Sequence, residues 1–123
     1  MPKTILVVDD EPVVVEIARR KLQEAGYGVM TAADGEEAMS QLSKKIPDLI
    51  LLDIQMPRMN GYTFIVEKNK IPAYAGVPVI VLTAYSEMEP LFKRHAIRAY
   101  LLKPLKLSEL LDETARVIGP PLP

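Results

Sequence analysis

The chain has 123 residues, 49% of them hydrophobic and 25% charged, with a net charge of −1, which fits one soluble domain able to bury its own core. It has no cysteine and a single histidine, His95, which excludes disulfides, thiolate metal sites and any zinc site needing two imidazoles. A nucleic-acid surface would need a basic excess, and no apolar run nears the roughly 18 residues of a membrane span or forms the core of a signal peptide, so a cytoplasmic domain without direct nucleic-acid or membrane contact is expected.

In chain order, short apolar runs alternate with helical patterns. Thr4 to Val8 is the first run and predicts a strand buried on both faces. A helix follows, with Val14, Ala18, Leu22 and Ala25 on one side, Pro12 in its first turn and Gly26 at its stop. Gly28 to Ala32 is a weaker strand. Asp34, with Glu37 three residues on, opens a second helix that runs to about Lys45 and ends before Pro47. Leu49 to Leu52 is the third strand, and a short third helix runs from Tyr62 to about Lys70. The Pro-containing stretch Ile71 to Pro78 is expected to shorten that helix. Val79 to Leu82 is the fourth strand, and Glu87 to His95 a fourth helix. Ala99 to Leu102 is the fifth strand, and the fifth helix runs from near Ser108 to Gly119, with Leu107, Leu110, Leu111, Ala115 and Ile118 on one side.

Strand then helix, five times, with right-handed crossovers, predicts an α/β fold: a five-stranded parallel sheet, doubly wound, in flavodoxin-like order. Residues 1–119 form one domain on this reading, and 120–123 a tail or the start of a linker.

In such a sheet ligands bind beyond the carboxyl ends of the strands. There the sequence places Asp9 and Asp10 after the first strand, Asp53 after the third, Thr83 after the fourth and Lys103 after the fifth. Converging carboxylates repel, and one or more should have a raised pKa. A hard divalent cation such as Mg²⁺ relieves the repulsion through oxygen ligands. A group that calls for Mg²⁺, an ammonium and a hydroxyl donor together is a phosphoryl group, and a carboxylate is a competent nucleophile towards it. Taken singly, each residue has a plainer role: Asp9 and Asp10 as a turn or helix cap, Thr83 as a strand end, Lys103 as a solvated lysine. Asp53 is the exception, because a carboxylate ending an apolar run is costly unless paired.

The strings VVDDEP, LILLDIQMPRMNG, VIVLTAY and YLLKP, in this order, resemble the receiver domain of bacterial response regulators, over essentially the whole chain from Lys3 to about Ile118. That resemblance implies Asp53 as the phosphoacceptor and Asp9, Asp10, Asp53 and the backbone carbonyl of Gln55 as Mg²⁺ ligands. It implies phosphoryl contacts from Thr83, Lys103 and the backbone N–H groups of Ile54 and Ala84. Tyr100 matches an aromatic switch residue, Lys103–Pro104 a cis peptide, and Pro57 and Gly61 the tight turn after the phosphoacceptor. It also implies a sensor histidine kinase or phosphotransfer protein as phosphodonor, and an output domain or downstream protein that reads the face formed by the fourth helix, fifth strand and fifth helix. In the family the same face commonly supports homodimers. Such a domain is not an enzyme in its own right. Tyr85 is expected to shield the phosphoryl group and lengthen its lifetime. Two rivals are a phosphate-independent binding module on the same fold and a Mg²⁺-dependent phosphatase with an aspartyl nucleophile. The phosphatase would carry a second Asp where this chain has Gln55, and no GxGxxG or GxxxxGK[ST] run supports a nucleotide site.

Overall fold

The computed structural model describes residues 2–54, 61–83 and 97–121. Its elements are β1 (Thr4–Val8), α1 (Pro12–Glu24), β2 (Gly28–Ala32), α2 (Gly35–Lys44), β3 (Leu49–Asp53), α3 (Gly61–Asn69), α4 (Pro72–Ala75), β4 (Val79–Thr83), β5 (Ile97–Leu102) and α5 (Leu107–Ile118). All strand pairs are parallel, in the order β2-β1-β3-β4-β5. This is the doubly wound α/β sheet read from the sequence. The expected helix over Glu87–His95 lies outside the described residues.

Period-two alternation in the three central strands divides the core in two. Leu6, Val8, Ile50, Leu52, Val79 and Val81 point to the side covered by α2 and α3, with Ala38, Leu42, Phe64 and Ile65. Ile5, Val7, Leu49, Leu51, Ile80 and Leu82 point to the other side, where Ala18 and Leu22 of α1 and Leu110 of α5 close over them. Every residue of β1, β3 and β4 is buried, which is why these strands read as unbroken apolar runs.

Local signals set the helix ends. Pro12 occupies the first turn of α1, and Gly26 beyond its end has φ of 105°. The Asp34 carboxylate accepts from the Glu37 N–H at 2.9 Å and caps α2. Three details differ from the sequence pattern. The stretch after α3 does not only end that helix; it folds into α4, with Pro72 at its start. α5 begins at Leu107, one residue before the expected Ser108. β5 begins at Ile97, two residues early, because its register with β4 shifts between Val79 and Ile80. Val79 pairs with Ile97 and Ile80 with Ala99, so Arg98 is an extra residue in the strand, and its carbonyl accepts from Arg116 Nη2 at 2.9 Å.

The C-terminal segment returns to the start of β1. The Lys3 N–H donates to the Pro121 carbonyl at 2.8 Å, the Lys3 ammonium to the Ile118 carbonyl, and the Tyr27 hydroxyl to the Gly119 carbonyl at 2.8 Å. This end of the sheet is opposite the carboxyl ends of the strands. No helix among the described residues is long and apolar enough to cross a membrane.

One buried group breaks the apolar pattern. Lys68 falls on the same face of α3 as Gly61, Phe64 and Ile65 and is fully buried. Its ammonium donates to Asn69 Oδ1 at 3.0 Å and to the Ala75 carbonyl at 3.2 Å, joining the end of α3 to the end of α4. Both acceptors are neutral, and burial lowers the Lys68 pKa from 10.5 to about 8. A lysine whose folded pKa is depressed destabilises the fold while it must be charged, below pH 8, and this penalty fades as pH rises to 10.5. The predicted signature is a stability gap between Lys68→Met and wild type that moves towards wild type by about 2 kcal/mol between pH 7 and pH 10. Urea denaturation of both proteins at both pH values measures it, and a gap independent of pH would mean Lys68 titrates normally.

Candidate functional site

The strand order brings the expected site residues together. β1 lies beside β3, so Asp9 after β1 and Asp53 at the end of β3 meet at one sheet edge. β4 lies beside β3 and ends in Thr83. The Lys103 N–H donates to the Thr83 carbonyl at 2.9 Å, which carries the β4–β5 pairing one residue beyond β5 and fixes Lys103 at the same edge. The Lys103–Pro104 peptide is cis.

Asp9, Asp53 and Thr83 are at most 2% exposed, whereas Asp10 and Glu11 are exposed. Carboxylate oxygens of Asp9, Asp10, Glu11 and Asp53 all lie within 4.8 Å of one another. Asp9 Oδ1 accepts from the Glu11 N–H at 2.9 Å, which folds the β1–α1 turn back over the acids. Asp9 Oδ2 is buried and accepts no hydrogen bond among the described residues. Four clustered carboxylates, two of them buried, are the donor set a hard divalent cation takes.

Lys103 is the positive counterpart. Its Nζ lies 3.0 Å from Glu11 Oε1, 3.3 Å from Asp53 Oδ1 and 3.5 Å from Asp9 Oδ2. Burial alone would lower its pKa, but the Glu11 carboxylate, then Asp9 and Asp53, outweigh burial and raise it above the ordinary lysine value. Burial raises the Asp9 pKa, opposed by the Glu11 N–H and by Lys103. Asp9 is thus a raised carboxylate, by desolvation first and by the neighbouring Glu11 charge to a lesser degree.

Tyr100, in β5, is half-buried and packs against the core cluster that contains Val81. One expected phosphate donor needs correction. The Ile54 N–H donates to the Leu82 carbonyl at 3.2 Å, so it is engaged in the β3–β4 ladder. Gln55, Pro57, Ala84 and Tyr85 lie outside the described residues. Glu11 is the member of the cluster that the sequence pattern did not single out. Beside Glu11 and Lys103 opens a cavity of about 480 Å³ whose other walls are Val14, Ile17, Pro104 and Leu105.

The model of the response regulator receiver domain matches residues 5–115. The chain belongs to that family. Among receiver relatives, the probable transcriptional regulator ycf27 of Porphyridium aerugineum is 39% identical over 108 residues, which is 86% of this chain but 44% of the relative. The receiver thus spans less than half the length of that protein. Among solved structures, the chemotaxis protein CheY4 of Vibrio cholerae superposes with a TM-score of 0.89 at 33% identity, covering 95% of this chain and 99% of that one. The response regulator TrrA of Thermotoga maritima, solved in complex with Mg²⁺ and beryllium fluoride, has a TM-score of 0.82 at 36% identity, covering 94% and 98%.

Gly61 holds this receiver's α3 against its acid edge. Its N–H donates to the Ile54 carbonyl at 3.0 Å. A Cβ there would lie 2.6 Å from the Asp53 carbonyl oxygen and 2.8 Å from Ile54 Cα, and backbone cannot yield as a side chain can. Gly61→Ala is expected to cost about 2 kcal/mol in urea denaturation by overpacking at the end of β3. A loss under about 0.5 kcal/mol would show that the backbone there is free to relax.

Proposed function

We propose that this receiver is the phosphoacceptor of a two-component relay, with Asp53 as the residue that takes the phosphoryl group. The observation that carries the reading is the meeting, at one sheet edge, of buried Asp53 with Asp9, Asp10 and the Lys103 ammonium. A Mg²⁺ ion held by Asp9, Asp10, Asp53 and the backbone carbonyl of Gln55 would neutralise the charge that develops on the transferring phosphoryl oxygens.

The remaining chemistry belongs to the chain. An Asp53 carboxylate oxygen attacks the phosphorus of a phosphohistidine on a sensor kinase or phosphotransfer protein; the P–O bond forms as the P–N bond breaks, and the imidazole leaves with the bonding pair. Lys103 pairs with one phosphoryl oxygen, and the Thr83 hydroxyl and the Ala84 N–H donate to others. Thr83 drawn towards the phosphoryl group vacates space that Tyr100 enters. The face to which β5 and α5 belong then shifts towards the arrangement read by an output domain or downstream protein, or used for dimerisation. The cavity beside Lys103, with Val14, exposed Ile17 and Leu105 in its walls, gives a protein phosphodonor an apolar surface to rest on next to the acids. On this reading the chain accepts and reports a phosphoryl group in the cytoplasm and is not an enzyme with a substrate of its own. A downstream segment would leave from the end of the sheet opposite the acids, where Pro121 is tied to Lys3.

Intact mass after incubation with acetyl phosphate tests the proposal. One phosphoryl group is expected to be gained with Mg²⁺, and none without Mg²⁺ or in Asp53→Asn. A folded wild-type protein that binds Mg²⁺ yet gains no mass would favour a binding module that works without phosphate.

A further inference from the structure

Among the described residues, the acid nearest to the Lys103 ammonium is neither the expected phosphoacceptor nor one of the two further acids expected to hold the metal. It is Glu11, whose Oε1 accepts from Nζ at 3.0 Å across 92 positions of sequence. Asp53 and Asp9 are farther, at 3.3 and 3.5 Å. Glu11 is placed for this role by its backbone: its N–H is held by Asp9 Oδ1, and Pro12 starts α1 immediately after it. Its side chain is 58% exposed, while that of Lys103 is 21% exposed. The carboxylate that holds the lysine can therefore return to water on release, and the lysine stays within reach of the buried acids.

We propose that Glu11 is a positioning residue that holds Lys103 at the rim of the unphosphorylated site, so that a phoshoryl group on Asp53 must take the ammonium from Glu11. The proposal rests on the phosphoacceptor reading above and adds a resting-state competitor to it. Before phosphorylation the ammonium is shared among three carboxylates. A phosphoryl group brings more negative charge and several acceptor oxygens to the Asp53 side, and the lysine's flexible stem lets it move there. Whatever holds Lys103 to Glu11 then opposes phosphorylation. An exposed ion pair is weak, so the expected effect is about two- to fivefold in affinity for a phosphoryl mimic, or about 0.4–1 kcal/mol.

The test is binding of beryllium fluoride at saturating Mg²⁺, followed by ¹⁹F NMR, in wild type, Glu11→Gln and Glu37→Gln. Glu37 is exposed and lines a pocket with Asp9 and Asp10 that does not include Lys103, so its loss removes the same charge from the same end of the molecule. Mg²⁺ affinity is measured separately for each protein. Glu11→Gln is expected to bind the mimic about two- to fivefold more tightly, and Glu37→Gln distinctly less so. Equal or weaker binding by Glu11→Gln overturns the proposal, and an equal gain in Glu37→Gln reduces it to a general charge effect and overturns it too. Weakened Mg²⁺ binding in Glu11→Gln without tighter binding of the mimic would make Glu11 a metal-side acid, against the proposal. No binding of the mimic by the wild type would overturn the phosphoacceptor reading itself, and this role with it.

Discussion

Crowding of negative charge at one end of a parallel sheet is the constraint on which the rest of the site depends. Four carboxylates whose oxygens lie within 4.8 Å of one another repel strongly, and two of them, Asp9 and Asp53, are almost wholly removed from water. No side-chain arrangement confined to a single loop would gather them. They meet because β1 and β3 are neighbours and both run towards the same edge. The Lys103 ammonium lies within 3.5 Å of three of these acids, but one charge does not balance four. The remaining imbalance is the physical reason the site suits a divalent cation and, beside it, a phosphoryl group.

Most of the architecture was legible in the sequence because its strands are buried on both faces. Thr4–Val8, Leu49–Asp53 and Val79–Thr83 contain almost no polar residues until their ends, so the period, the limits and the site-bearing ends were visible together. The caps were equally plain, since Pro12, Asp34 and Gly26 act through their own backbone or their own short side chain. β5 was harder. Arg98 interrupts its apolar run at a bulge, and only the neighbouring strand shows that Ile97 already pairs with Val79. α4 has four residues and no apolar repeat, which leaves Pro72 as its one local signal.

The site itself was legible in its residue types and less so in its bonding. Asp9, Asp10, Asp53, Thr83 and Lys103 fall where the strand ends required. Which groups each one bonds depends on chain separations that no local pattern encodes. Glu11 meets Lys103 across 92 positions, and the Ile54 N–H turns to Leu82 because β3 and β4 pair as far as that residue. Lys68 belongs with these. Its place on the buried face of α3 follows from the spacing of Gly61, Phe64 and Ile65, but its acceptors come from the end of α3 and from α4. Hydrogen-bond partners across elements are a tertiary property, and sequence periodicity carries information only about which face a residue occupies.

The distribution of burial divides the site into a fixed part and an adjustable part. Asp9, Asp53 and Thr83 stand at the ends of central strands, packed between two core layers, and cannot move far without disturbing both. Asp10, Glu11 and Lys103 lie on the connecting turns and reach the same place by side chains that are exposed or partly so. A phosphoacceptor benefits from this division. On the reading proposed above, Asp53 would stay in one position while the charges around it redistribute as a dianion arrives. The main-chain bond from Lys103 to Thr83 ties the adjustable side to the fixed one at the β4–β5 edge. On the same reading, a lysine drawn inwards would act on that edge, and β5 is also the strand that carries Tyr100, paired with Val81 of β4.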